Sequence, residues 1–141
     1  MLLNEFIIQE GFGGHGFPGF GQGIFRQAYY EFIASQIARY PDEAIRLDLG
    51  EWFSKAFKRD SSRFDEDIFM RWVRENKRGG RGEDSAKFQQ RHFYYLAYLI
   101  KMESDPERRK FLTDWMGEMF RYNNENFKTD RWVKHCGVDE E

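Results

Sequence analysis

The sequence predicts an all-α chain: two tandem three-helix repeats packed pseudo-symmetrically, with a Gly/Phe-rich N-terminal arm. Three observations predict it. Apolar residues recur at helical spacing, prolines fall where helices begin, and the chain aligns with itself at a shift of 63 positions. Residues 27–73 then lie on 90–136 without a gap. Gln27/Gln90, Ala34/Ala97, Ile37/Ile100, Asp42/Asp105, Leu49/Leu112, Trp52/Trp115, Phe57/Phe120, Phe64/Phe127 and Asp67/Asp130 coincide, spread over the whole length.

The first helix of each unit is read from Tyr30, Ile33, Ala34 and Ile37, and from Phe93, Leu96, Ala97 and Ile100, both spaced i, i+3, i+4, i+7. The aromatic content of FYYLAYLI (93–100) would by itself favour a strand. Its partner QAYYEFIASQIARY is helical in pattern, and the register makes both helices. Leu49, Trp52, Phe53, Ala56 and Phe57 form the second stripe, matched by Leu112, Trp115, Met116, Met119 and Phe120. Pro41 and Pro106 stand at the start of these second helices, where a missing N–H is harmless. Ser104 with Glu107 is expected to form a capping box there, and Ser62 with Asp65 a weaker one before the third helix. Phe64 and Phe127 precede the third helices as staples, and Gly137 closes the last as a left-handed stop. The domains expected are an arm over 1–25, repeat one over 26–76, a linker over 77–87 and repeat two over 88–138. One unit of 47 residues buries too little surface to stand alone, so the two are expected to share a core centred on the helix at 88–102.

Composition narrows the function. The chain has 141 residues, 33% of them charged, with a net charge of −2, which excludes a polybasic protein holding DNA by bulk charge. Fifteen Phe, seven Tyr and four Trp mean that the core is built from rings more than from branched aliphatics. No apolar run approaches the ~20 residues of a membrane span. The start, MLLNEFIIQEGF, has no signal-peptide pattern. Cys136 is the single cysteine, so no internal disulfide can form and a reducing, cytoplasmic setting is expected.

The second halves of the two units, AFKRDSSRFDEDIFMRWV and EMFRYNNENFKTDRWVKHCG, share a cadence carried by Phe64-Asp65, Phe127, Trp132 and Cys136-Gly137. It resembles the ends of short proteins encoded by bacteriophages and plasmids. Ser61-Ser62 and Glu125-Asn126 depart from the Asn-Pro that such proteins favour. The likeness covers about a third of the chain. It implies a mobile-element origin and no reaction mechanism.

Three regions are candidates for function. The stretch EGFGGHGFPGFGQG interleaves seven glycines with Phe12, Phe17 and Phe20. Gly11 to Gly16 satisfies the letters of a dinucleotide fingerprint. Pro18 and the later glycines prevent the helix that fingerprint requires, so no nucleotide cofactor is expected. Ring-bearing residues there suit a partner's groove. Next, Lys77, Arg78 and Arg81 form a minimal RGG-like tract, the alternative reading being a nucleic-acid-binding accessory protein. Finally, Ile68 and Trp72 are four apart on the third helix, where the second unit has Arg131 and His135. That stripe is either covered within the chain or exposed to a partner, and Trp suits the centre of a protein interface. His15, His92 and His135 lack metal-ligand spacing, and no catalytic group or metal is expected. The preferred expectation is a non-catalytic module binding a host protein or complex, an inhibitor of a host defence or regulatory complex, as a monomer or homodimer.

Overall fold

A computed structural model describes residues 23–75 and 86–138, and every regular element among them is an α-helix. In order they are α1 (Gln27–Ala38), α2 (Glu43–Asp60), α3 (Glu66–Arg74), α4 (Gln90–Lys101), α5 (Pro106–Asn123) and α6 (Thr129–His135). They fall into two compact units, one ending at Lys87 and the other starting at Phe88.

In the first unit α3 packs against both α1 and α2. Phe32, Ile33 and Ile37 from α1, Leu49, Phe53 and Phe57 from α2, and Phe69 and Val73 from α3 are all buried. The Phe57 ring is the hub. Its centroid lies 4.9 Å from Phe25, 4.8 Å from Tyr30, 5.7 Å from Phe53, 5.3 Å from Phe64 and 5.5 Å from Phe69. The edge-on geometry of most of these pairs suits the ring quadrupoles. Phe64, just ahead of α3, touches Tyr30 and Phe69 as well as the hub, which fixes the entry of that helix.

The second unit uses the same devices. Phe120 lies 5.0 Å from Phe88, 4.9 Å from Phe93, 5.3 Å from Phe127 and 5.1 Å from Trp132. The starts of α1 and α4 fall at 27 and 90, of α2 and α5 at 43 and 106, and of α3 and α6 at 66 and 129, a separation of 63 each time. The aromatic run 93–100 is helical, and α4 buries His92, Tyr95, Leu96, Ala97, Leu99 and Ile100.

The caps differ from the sequence expectation. Asp42 and Asp105, rather than Ser104, cap the second helices: Asp42 accepts from the N–H groups of Ala44 and Ile45, and Asp105 from that of Glu107. Pro106 is therefore the first helical residue, whereas Pro41 lies one residue ahead of its cap. Asp65, not Ser62, caps α3 by accepting from Ile68 N–H. In each case a carboxylate one residue from the helix also complements its dipole, which a serine cannot. Gly137 has φ +79°, the left-handed stop expected of it, and the Val138 and Gly137 N–H groups close back on Val133 and Lys134.

One matching pair lies outside the apolar stripes. Arg46 donates to Tyr40 O at 2.7 Å, and Arg109 donates to Glu103 O at 2.6 Å. In both units an arginine of the second helix satisfies a carbonyl freed where the first helix ends.

Candidate protein-interaction face

The sequence EDIFMRWVR makes α3 amphipathic, and Asp65, Glu66 and Asp67 at its start with Arg71 and Arg74 at its end complement its dipole. Phe69 and Val73 turn inward and are buried. Ile68 is 39% exposed, and Trp72, one turn further along the same face, is half-buried. The two thus lie side by side at the surface of the first unit. Their counterparts in α6, Arg131 and His135, are charged or polar, so the apolar stripe belongs to the first unit alone.

On the other side of α3 a cleft of about 410 Å³ runs along α2, lined by Glu51, Lys55, Glu66, Asp67 and Arg74 among others. A smaller one of about 250 Å³ lies between α5 and α6, lined by Asp114, Gly117, Glu118, Thr129 and Val133 among others. Among the described residues no group of three or more His, Cys, Asp or Glu could hold a metal ion, and no helix is long and apolar enough to cross a membrane.

Phe12, Phe17, Phe20, Lys77, Arg78 and Arg81 lie outside the described residues. The segments bordering them are firmly held. Ile24 and Phe25, read from the sequence as the end of the arm, are buried in the first unit, and Gly23 N–H donates to Asp60 O. Ala86 is buried and Lys87 O accepts from the Tyr29 hydroxyl at 2.7 Å, so the last two residues assigned to the linker also belong to that unit.

Tyr30 and Cys136, both among the described residues, carry displaced titrations. Tyr30 is raised from 10.0 to about 12, first by burial and then by the charge of Asp60. Cys136, fully buried, is raised from 9.0 to about 12 by burial, against a hydrogen bond with Thr113 and the charge of Lys101. The thiolate is the reactive form. Native Cys136 is accordingly expected to resist a thiol reagent at pH 8 for hours, and to react within minutes in denaturant. Comparable rates in the two states would contradict this. The sign for stability follows: both acids stay protonated in the fold while the unfolded chain ionises, so stability falls as pH rises from about 9 towards 12.

Sequence reasoning did not foresee the burial of Asp60 and His92. Asp60 is fully buried at the end of α2, and the His92 ring, also fully buried, takes the Gln89 N–H on Nδ1 at 2.9 Å. Comparison of the chain with family models, curated proteins and solved structures found no match.

Proposed function

We propose that this chain is a non-catalytic protein-binding module formed by two tandem copies of one three-helix unit, with Ile68 and Trp72 of α3 as its contact residues. The single observation that carries the reading is an isoleucine 39% exposed beside a half-buried tryptophan, on a helix whose other exposed positions are charged. Tandem duplication is supported by helix starts, the Asp42 and Asp105 caps and ring clusters that recur 63 positions apart, and by the opposite chemistry of Arg131 and His135 at the twin sites. Given the likeness to phage and plasmid proteins, the proposed partner is a protein of a host defence or regulatory complex.

The test replaces the stripe with its own counterpart, Ile68→Arg with Trp72→His. The second unit carries those residues at the same place on the same helix, so the fold should tolerate them. Capture of the partner from host lysate is expected to fall more than about tenfold, with a melting temperature within a few degrees of the parent. Because the contact is apolar, capture by the parent should survive ~0.5 M salt. Undiminished capture by the double variant would refute the reading. Binding to nucleic acid that disappears with salt would favour the alternative instead.

A further inference from the structure

The end of α2 holds an arrangement that the interaction face does not use. Asp60 is the last residue of the helix and fully buried. A carboxylate there opposes the helix dipole, and burying its charge is costly unless hydrogen bonds replace water. They do. Oδ1 accepts from Ile24 N–H at 2.9 Å, Oδ2 accepts from Phe25 N–H at 3.1 Å, and the main-chain oxygen accepts from Gly23 N–H at 2.9 Å. One residue thus binds three consecutive amides of the segment leading into α1. That segment carries two buried side chains, Ile24 and Phe25, the latter edge-on to the Phe57 hub. Gly23 enters it with φ +67°, a conformation suited to glycine.

In the second unit the same place on the helix is held by Asn123. An amide presents one accepting oxygen and one NH2 donor at any pH, whereas a carboxylate accepts on both oxygens until a proton turns one of them into a donor facing an N–H. We propose that Asp60 is a proton-operated latch: as a carboxylate it holds residues 23–25 against α2, and protonation in acid frees the segment and exposes Ile24 and Phe25. Tyr30 of α1 faces Asp60, and its phenol stays neutral throughout the acid range. The charged residues flanking the latch along the chain, Arg26, Lys58, Arg59 and Arg63, are exposed, and Lys58 donates to Phe64 O. The inference does not depend on the Ile68–Trp72 face.

Amide hydrogen exchange on the full chain tests it, read as protection factors so that the intrinsic pH dependence of exchange cancels. Between pH 7 and pH 3.5 the Ile24 and Phe25 amides should lose more than about tenfold in protection, while the Ile33 and Phe53 amides stay within about twofold. In Asp60→Asn, which copies the second unit, protection at 24 and 25 should no longer depend on pH. A flat profile in the parent would overturn the proposal, as would an equal loss in the Asn variant or a loss shared by Ile33 and Phe53. Should the Asn variant fail to fold, the contrast within the parent between 24–25 and 33–53 still decides.

Discussion

Phe57→Ala is expected to cost about 3–5 kcal/mol of folding stability, the upper range for a buried ring removed from a core. The side chain is fully buried and meets five other rings within 5.7 Å. Those neighbours come from the segment before α1, from α1, from α2 itself, from the turn before α3 and from α3. A cavity at the hub therefore strips partners from every element of the unit at once, and no single neighbour can relax into it. Ring-edge contacts add about 0.5–1.5 kcal/mol per good pair beyond area burial, which places this site above an ordinary Leu→Ala. Total stabilities of about 5–15 kcal/mol leave little after such a loss. Phe120→Ala should behave alike in the second unit, with four ring neighbours. Tyr122→Ala, at a side chain 66% exposed, should stay within about 0.5 kcal/mol of the parent. Urea unfolding of the three variants checks this, and a loss below about 1.5 kcal/mol for Phe57→Ala would mean that the ring cluster is not the centre of the fold.

The helices were legible because their signal is local and repeated. Two stripes at 3.6-residue spacing, seen twice in one register, outweighed the strand propensity of Tyr94, Tyr95 and Tyr98 in α4. Capping was legible in position but not in identity. Ser104 and Asp105 are adjacent and chemically competent, and which of them caps depends on backbone angles that spacing does not fix.

The polar interior was not legible at all. Asp60 sits in a charged run, Lys58-Arg59-Asp60, that reads as a solvated helix end. Once buried, it is met by amides 35 and 36 residues earlier in the chain, a contact that no local pattern announces. His92 is hidden for the same kind of reason, since its acceptor role depends on where the chain turns into α4. The Ile68–Trp72 stripe was visible as a pattern. Its exposure was not, because helical periodicity says which residues share a face and not what covers it.

The sharpest test of how the two units differ is a transplant between them. Trp132 is fully buried, and its indole N–H donates to Thr113 O at 2.9 Å, which pins the ring. A side chain begun at Gly117 would place its Cβ 3.3 Å from Trp132 Cδ1, closer than a fixed ring allows without a shift. The first unit has Phe69 where the second has Trp132, and Ser54 where the second has Gly117. Glycine thus accompanies the larger ring in the second unit, and serine the smaller ring at the corresponding positions of the first. Trp132→Phe alone should cost about 2–3 kcal/mol, from the void and the lost hydrogen bond. Gly117→Ser alone should cost about 1–2 kcal/mol of overpacking, partly offset by the better helix propensity of serine. Together they rebuild the first unit's pair: the phenylalanine lacks the pyrrole edge that the new Cβ would strike, and the serine fills part of the space the indole leaves. The double variant should therefore be more stable than the sum of the singles by at least about 1 kcal/mol in a double-mutant cycle read by urea unfolding. Strict additivity would show that these positions do not compensate one another, and would remove the packing argument that pairs the two units residue by residue.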